Sequence, residues 1–300
     1  MTEIKVWTQW SDLSVPAGVT LLSPENFPLD TSDLSQVDMY VPTYMTGAKG
    51  LSYVEKMTNL KVLQMPNAGY EDAMAHLRPG LTLCNATGVH DASTAELAVG
   101  LAIASRRGFA EFMKDQNDGV WNHRRFPALS DSKVGIVGFG SIGKEIAKKL
   151  SAFDVEITAF TQSGRDGSLK VEELDAHLPK LDIVILILPL TDTSRHMFDA
   201  ARLSKMKDGA LLINMARGPV VVTDALVAEL QSKRLFAALD VTDPEPLPAG
   251  HPLWNAPNLI LVPHVGGNSG AFEPRGRKLI ESQLLLLSQG KALEHVVAQG

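Results

Sequence analysis

The sequence predicts an α/β protein built from two doubly wound parallel-sheet domains with a cleft between them. Short apolar runs alternate with helix-like stretches along most of the chain. One of these runs leads through a glycine-rich turn into an amphipathic stretch at residues 134–151. The chain has 300 residues, of which 45% are hydrophobic and 21% charged, and this length and composition are sufficient for two hydrophobic cores.

The first part of the chain has apolar runs with the length of strands, separated in several places by helix-like stretches. This alternation predicts a parallel α/β sheet. Thr94 then opens a long, apolar-rich helical stretch that is expected to connect to the second domain. The predicted strands cover residues 4–7, 19–22, 37–41, 61–65 and 81–84.

The second part is more regular and predicts a Rossmann sheet with ligand loops at the carboxyl ends of its strands. A helix is expected at 142–151, and a last helix at 277–288 is expected to return to the first domain. We therefore expect two domains, one formed by residues 1–94 plus 267–300 and the other by residues 95–266. The predicted strands cover residues 134–137, 155–160, 183–188, 210–214, 236–240 and 259–262.

Composition argues against several other classes of protein. A net charge of -6 and a pI near 5.8 give no reason to expect a nucleic acid partner. Cys84 is the only cysteine, so no internal disulfide is possible, and no Cys/His spacing resembles a metal site. The longest strongly apolar run, residues 183–190, is too short to span a membrane, and no secretory signal is visible. A cytoplasmic location is expected.

The glycine-rich turn matches the dinucleotide fingerprint G-x-G-x-x-G. Gly138, Gly140 and Gly143 follow a predicted strand and enter a predicted helix through Ser141 and Ile142. In this context the glycines allow a tight turn, approach of the pyrophosphate and close packing of the helix, whose first N–H groups favour an anion. The alternative is a glycine-rich turn without a ligand.

The end of the second Rossmann strand lacks the acid that usually binds the ribose of NAD. The segment there contains Thr161, Ser163 and Arg165, whereas Asp154 and Glu156 lie at the start of the strand, too far from a ligand at its end. Without a carboxylate to repel it, a 2′-phosphate can be bound by serine and arginine. We predict a preference for NADP(H), with NAD possible; the alternative is that Arg165 is an ordinary loop arginine.

Arg217 follows a predicted strand within Met206–Val222, on the edge where ligands should bind. Together with the glycine turn, this stretch resembles the third signature of the D-isomer-specific 2-hydroxyacid dehydrogenases, which include glyoxylate/hydroxypyruvate reductases and phosphoglycerate dehydrogenases. The resemblance covers nearly the whole chain. Five more matches occur in the family's order, at residues 67–70, 91–97, 188–193, 239–246 and 263–267.

The resemblance implies a catalytic trio of Arg217, Glu245 and His264. Their separations of 28 and 19 positions (245 − 217 and 264 − 245) are similar to the family's. Arginine is a fixed cation that can hold a carboxylate and polarise a keto oxygen, and histidine can deliver a proton near neutral pH. Glu245 would orient the imidazole and favour its protonated form. The alternative for Glu245 is a loop acid between two prolines.

The resemblance also implies that residues 1–94 plus 267–300 form a flavodoxin-like substrate-binding domain and residues 95–266 a Rossmann dinucleotide-binding domain. It further implies ligand contacts outside the trio. Backbone amides around Ala68 and Gly69 would bind the substrate carboxylate. Met45 is also expected to contact the substrate, because it belongs to a mostly uncharged loop with room for a small ligand. Asp240 would accept a hydrogen bond from the nicotinamide carboxamide. The remaining cofactor contacts would be Thr94, Pro189 and Thr193.

The resemblance therefore predicts an NAD(P)-dependent oxidoreductase that reduces a small 2-keto acid of the glyoxylate/hydroxypyruvate type to the D-2-hydroxy acid. Phosphoglycerate oxidation is an alternative, as is a non-catalytic, dinucleotide-sensing corepressor-like protein. The family also suggests a homodimer formed through the nucleotide domain and the segment around Trp121.

Overall fold

Strands and helices alternate along the chain in the computed structural model, which describes residues 3–300. Contacts divide the chain into two units. The first comprises the chain up to His90 together with Gly270–Gly300, and the second is Asp91–Ser269. Each unit contains one sheet, of six and seven strands respectively, so the predicted α/β class with two sheets is confirmed.

The first unit begins with five short strands that all run parallel. They are β1 (Ile4–Trp7), β2 (Val19–Leu22), β3 (Met39–Tyr40), β4 (Val62–Gln64) and β5 (Thr82–Cys84). The connections contain the five-residue helix α1 (Gly47–Leu51) and the 3-10 helices Leu34–Gln36, Val54–Lys56 and Glu71–His76.

The second unit has six α-helices and seven strands. The helices are α2 (Asp91–Arg106), α3 (Phe109–Asn117), α4 (Ser141–Leu150), α5 (Leu174–His177), α6 (Ala200–Leu203) and α7 (Thr223–Gln231). The strands are β6 (Lys133–Val137), β7 (Glu156–Thr161), β8 (Leu169–Lys170), β9 (Ile183–Leu186), β10 (Leu211–Asn214), β11 (Phe236–Leu239) and β12 (Leu259–Leu261). Short 3-10 helices lie at Ser151–Phe153, Val171–Glu173, Leu178–Lys180, Gly218–Val220 and Pro252–Asn255.

The chain then returns to the first unit with α8 (Phe272–Ser288) and β13 (Val296–Gln299). The strand order of the first sheet is β13-β5-β4-β3-β1-β2, and β13 is antiparallel to β5. The sequence analysis did not predict this edge strand, which carries no fully buried residue. An exposed edge strand has little of the apolar pattern that marks central strands.

Alternate side chains of each strand pack on opposite faces of the sheets, as the pleat requires. In β9, Ile183 and Ile185 belong to one core of the second unit, whereas Val184 and Leu186 belong to the other. α2 and α4 cover the first of these faces, and α5 and α7 cover the second. Burial on both faces explains why the strands are continuous apolar runs.

The second sheet is wholly parallel, with the order β12-β11-β10-β9-β6-β7-β8. Strand order reverses between β6 and β9, and ligands of open α/β sheets bind at the carboxyl ends of the strands near such a reversal. Most candidate site residues of this unit lie at that edge, in the loops that follow the strands or at the start of α4, whereas Thr94 lies within α2.

None of the helices within residues 3–300 is long and apolar enough to cross a membrane. The same residues contain no group of three or more His, Cys, Asp or Glu side chains suited to a metal ion. Cys84 is buried, and burial raises the pKa of its thiol to about 11, so the thiol stays protonated at neutral pH.

Candidate active site

The turn between β6 and α4 is closed by two glycines that larger residues cannot replace without movement. Gly138 has a φ of +103°, and a Cβ there would lie 2.0 Å from the carbonyl oxygen of Ile187. A Cβ at Gly143 would lie 2.3 Å from the carbonyl oxygen of Gly138. These two glycines therefore allow the tight turn and the close packing of α4 on the sheet.

Gly140, the middle glycine of the turn, borders open space. Nothing lies within 4 Å of a Cβ built at this position. Gly140 immediately precedes α4, and no side chain caps the first N–H groups of that helix at Ser141, Ile142 and Gly143. An uncapped helix start attracts anions, and the open glycine lets one approach the backbone. The turn therefore fits the pyrophosphate of a dinucleotide.

The loop after β7 is held together by its own hydrogen bonds. Thr161 Oγ1 lies 2.7 Å from Ser168 Oγ and accepts a 3.0 Å hydrogen bond from the Gly164 N–H. The Ser168 hydroxyl donates to the carbonyl of Arg165 at 2.5 Å. Ser163 and Arg165 are exposed, and within residues 3–300 their side chains form no hydrogen bond or salt bridge. The loop therefore presents a hydroxyl and a guanidinium on an ordered backbone.

One acid near this loop was missed by the sequence analysis. Asp166 Oδ2 forms a 2.8 Å salt bridge with Lys144 Nζ of α4, and this hydrogen bond lowers the pKa of Asp166. The two residues are 22 positions apart, so no local pattern could have indicated the pair. Lys144 balances the negative charge that Asp166 brings next to Arg165.

Three other predicted cofactor residues of the second unit lie in ordered positions. Pro189 follows β9, and its carbonyl accepts a 2.8 Å hydrogen bond from the Ser194 hydroxyl. Thr193 Oγ1 lies 3.0 Å from Thr191 Oγ1 in the same loop. Thr94 is buried in α2, where its methyl group lies beside Gly266. Their contacts with a cofactor stay predictions.

Arg217 follows β10 in extended backbone, at φ -144° and ψ 147°. Its Nη1 donates a 2.7 Å hydrogen bond to the carbonyl of Ala216. The next residue, Gly218, touches the loop after β11, because a Cβ there would lie 1.8 Å from the carbonyl oxygen of Thr242. The Arg217 segment and the segment leading to Glu245 are therefore packed backbone to backbone.

Glu245 and His264 are directly bonded, although they come from the loops after different strands. His264 Nδ1 lies 2.5 Å from Glu245 Oε1. Both side chains are partly exposed, His264 by 45% and Glu245 by 40%. Because Nδ1 is bonded to the carboxylate, Nε2 is the ring nitrogen left for proton exchange with a ligand.

Electrostatics links all three residues of the predicted trio. The hydrogen bond that His264 donates to Glu245 raises the pKa of His264 above its ordinary value, although burial and the charge of Arg217 oppose the shift. Burial raises the pKa of Glu245, but the hydrogen bond and charge of His264, aided by Arg217, outweigh it and leave the pKa lowered. The pair therefore favours a carboxylate beside an imidazolium.

Asp240, at the end of β11, organises the backbone around His264. Its Oδ1 accepts a 2.7 Å hydrogen bond from the Val265 N–H, and its Oδ2 accepts one of 3.0 Å from the Gly266 N–H. Its carbonyl accepts from the His264 N–H at 2.7 Å. Burial raises the pKa of Asp240, and the two backbone hydrogen bonds only partly offset this effect. Sequence reasoning predicted a cofactor contact for Asp240 but not these bonds.

The predicted substrate residues of the first unit are placed as follows. Ala68 follows β4, and its carbonyl accepts a 2.8 Å hydrogen bond from the Asn85 side chain. Gly69 is half-buried next to it. Met45 is 57% exposed and has a φ of +64°, which is uncommon for a residue other than glycine. Their role in substrate binding stays a prediction.

The strand order of the second sheet and its open glycine turn together define a dinucleotide-binding domain. Residues 99–266 match the family described as "D-isomer specific 2-hydroxyacid dehydrogenase, NAD binding domain". The chain belongs to this family, which confirms the resemblance that the motifs indicated. It is an NAD(P)-dependent D-2-hydroxyacid dehydrogenase family enzyme.

Similar proteins agree with this assignment. The chain is 36% identical over 248 residues to a glyoxylate reductase of Thermofilum pendens, covering 78% of this chain and 73% of the relative. It is 32% identical over 239 residues to a hydroxypyruvate reductase of Thermotoga maritima, covering 76% and 78%.

A solved structure shows the same fold. The NADPH-dependent glyoxylate/hydroxypyruvate reductase of Sinorhizobium meliloti, in complex with NADP and sulfate, superposes with a TM-score of 0.83. The comparison covers 98% of each chain at 25% sequence identity.

Proposed function

We propose that this protein uses NADP(H) to reduce a small 2-keto acid of the glyoxylate/hydroxypyruvate type to the D-2-hydroxy acid. The observation that carries the proposal is the 2.5 Å hydrogen bond between His264 and Glu245, with Arg217 close enough to affect the pKa of both. A proton donor and a fixed cation are the two protein groups that reduction of a 2-keto acid requires.

A nicotinamide dinucleotide, which the glycine turn at residues 138–143 would hold, would supply the hydride when bound. The chain's own residues would bind the substrate and transfer the proton. Arg217 would hold the substrate carboxylate and polarise the keto oxygen. His264 would donate the proton on Nε2 to that oxygen as the hydroxy acid forms, while Glu245 keeps Nδ1 protonated and orients the ring. In the oxidative direction, neutral His264 would accept the proton from the hydroxyl group.

The preference for NADP(H) is supported by the loop after β7. Ser163 and Arg165 are exposed on a backbone that internal hydrogen bonds hold in place, and the strand end carries no acid that would repel a 2′-phosphate. The nearby Asp166 is paired with Lys144, which limits its repulsion. The Sinorhizobium meliloti reductase is NADPH-dependent and was solved with NADP, which agrees with this reading.

The test is the absorbance-monitored oxidation of NADPH and NADH by purified protein. The panel contains glyoxylate, hydroxypyruvate, pyruvate, phenylpyruvate and oxaloacetate, and 3-phosphoglycerate is assayed in the reverse direction. We expect the highest kcat/KM with NADPH and glyoxylate or hydroxypyruvate. A clear advantage for NADH would refute the cofactor preference. Dinucleotide binding without turnover of any substrate would refute the catalytic proposal and favour a sensor.

We also propose that the protein is a homodimer formed through α3 and the segment that follows it. α3 has no buried residue, and its Phe109 and Met113 are 50% and 64% exposed. Trp121 just beyond it is 99% exposed, which is unusual for a large aromatic side chain without a partner. Light scattering after size exclusion tests this proposal: Trp121→Ser should weaken the dimer. Trp254→Ser, which removes a 54% exposed tryptophan from the 3-10 helix Pro252–Asn255, should not weaken it.

A further inference from the structure

Asn214, the last residue of β10, makes two hydrogen bonds that the proposed reaction does not use. Its Oδ1 accepts a 3.0 Å hydrogen bond from the Ala216 N–H, and its Nδ2 donates one of 3.0 Å to the carbonyl of Arg217. Asn214 is only 1% exposed, so water cannot replace these bonds. One carboxamide thus holds the backbone before and after the peptide bond that joins Ala216 to Arg217.

These bonds extend to the guanidinium group of Arg217. Arg217 Nη1 donates to the carbonyl of Ala216, the residue whose N–H is bonded to Asn214. Ala216 is itself buried at 2% exposure. The guanidinium is therefore bonded to a peptide group whose position depends on the Asn214 side chain.

We propose that Asn214 is a positioning residue that orients Arg217 toward the carboxylate of the 2-keto acid; this inference rests on the substrate-binding role of Arg217 proposed above. Only an amide side chain of this length offers both the acceptor for the Ala216 N–H and the donor for the Arg217 carbonyl. Aspartate can replace the acceptor but not the donor. Alanine would leave both backbone groups without their partner.

A purely structural role for Asn214 predicts different behaviour. If the buried asparagine only stabilises this end of the sheet, its replacement should lower the thermal stability and impair dinucleotide and substrate binding to a similar extent. A residue that acts through Arg217 would instead affect the keto acid and leave the dinucleotide site, which lies at other strands, unchanged. The two roles therefore differ in which ligand is affected.

The first measurement compares Asn214→Ala and Asn214→Asp with the wild-type protein. We expect kcat/KM for glyoxylate to fall about 10- to 100-fold in Asn214→Ala, because a displacement of about 1 Å at a reacting group can have an effect of that size. The dissociation constant for NADPH, measured by fluorescence titration, should change less than about twofold. Asn214→Asp, which is nearly isosteric, should have a kcat/KM for glyoxylate between those of the wild-type protein and Asn214→Ala. It serves as the test variant if Asn214→Ala does not fold.

A matched control is Asn258→Ala in the same unit. Asn258 Nδ2 donates to the carbonyl of Leu235 at 3.3 Å. Asn258 directly precedes β12 and so lies at the amino ends of the strands, whereas Arg217 follows β10 at their carboxyl ends. The substitution removes a side-chain bond to the backbone from a half-buried asparagine, and the φ of +59° at this position disfavours alanine. It should lower the melting temperature and leave kcat/KM for glyoxylate unchanged.

The decisive experiment is a double-mutant cycle with Arg217→Lys. If Asn214 acts through Arg217, adding Asn214→Ala to Arg217→Lys should lower kcat/KM by less than about twofold further. Losses that multiply, or a parallel loss of NADPH affinity, would overturn the positioning role while leaving the function of Arg217 intact. Near-normal activity of Arg217→Lys alone would instead refute the proposed function of Arg217, and the inference about Asn214 with it.

Discussion

Gly218→Ala should disable the enzyme through a steric clash between two segments of the candidate site. Gly218 lies next to Arg217, and the Cβ of alanine would lie 1.8 Å from the carbonyl oxygen of Thr242 and 2.7 Å from the N of Asp243. Both neighbours are backbone atoms, which cannot rotate away as a side chain can. The φ of Gly218 is outside the left-handed region, so the effect would be steric and not conformational.

The required movement follows from the distances. Real Cβ atoms essentially never approach other heavy atoms closer than 3.0 Å, so the distance between the Cβ and the Thr242 carbonyl oxygen must increase by at least 1.2 Å, the difference between 3.0 and 1.8 Å, through movement of one segment or both. A misplacement of about 1 Å near reacting groups can cost about 100-fold in rate. Overpacking of this kind also costs about 1–3 kcal/mol of folding free energy. We expect kcat/KM to fall by about 100-fold and the melting temperature to fall as well.

The assay is steady-state reduction of glyoxylate at saturating NADPH, with thermal unfolding measured on the same samples. Gly100→Ala is the matched control, because nothing lies within 4 Å of a Cβ on this exposed glycine of α2. Alanine in a helix should leave the kinetics unchanged and stabilise the fold by about 0.5–1 kcal/mol. A Gly218→Ala enzyme with kcat/KM within about threefold of wild type would contradict the reasoning, because the two loops would then tolerate separation.

Three further predictions concern pH, cofactor choice and stability. Because Glu245 raises the pKa of His264, the rate of reduction should be highest at low pH and should decline as the pH rises through that raised pKa. Glu245→Gln should move this decline to lower pH. An unchanged pH–rate profile in the variant would contradict the pairing. Arg165→Ala should raise the KM for NADPH about tenfold and leave the KM for NADH within about twofold, whereas equal effects on both would exclude recognition of a 2′-phosphate. Gln283 is fully buried and donates a 2.7 Å hydrogen bond to Gln64. Gln283→Leu should therefore lower the free energy of unfolding in urea by about 1–3 kcal/mol. An unchanged midpoint of urea unfolding would show that this hydrogen bond does not stabilise the first unit.

The positions of most strands along the chain could be predicted because their signals are local. The runs at 134–137 and 183–188 are apolar on both faces, since each strand is covered by helices on both sides. Gly138 and Gly143 could be recognised because their roles depend on a turn between neighbouring elements. By contrast, β13 pairs with β5 at the sheet edge, and its half-exposed residues carry too weak a pattern to identify a strand.

Prediction of the candidate site was limited by contacts between distant parts of the chain. The family resemblance implied that Glu245 orients the His264 ring, but the 2.5 Å separation of the two side chains spans 19 positions and depends on which strands are neighbours. The salt bridge between Lys144 and Asp166 has no local signal either. Asn214 lies within the recognised motif, yet its hydrogen bonds depend on how the chain turns after β10.

The sequence by itself determined the α/β class, the dinucleotide turn and the 2-hydroxyacid dehydrogenase family, because periodic burial and ordered motifs are recorded along the chain. Only the tertiary structure decided how the segments after β10, β11 and β12 meet: Gly218 against Thr242, and His264 against Glu245. Adjacency of parallel strands brings together loops that the chain separates by a helix or more. Their distances therefore arise from packing of the sheet and not from any local pattern of residues.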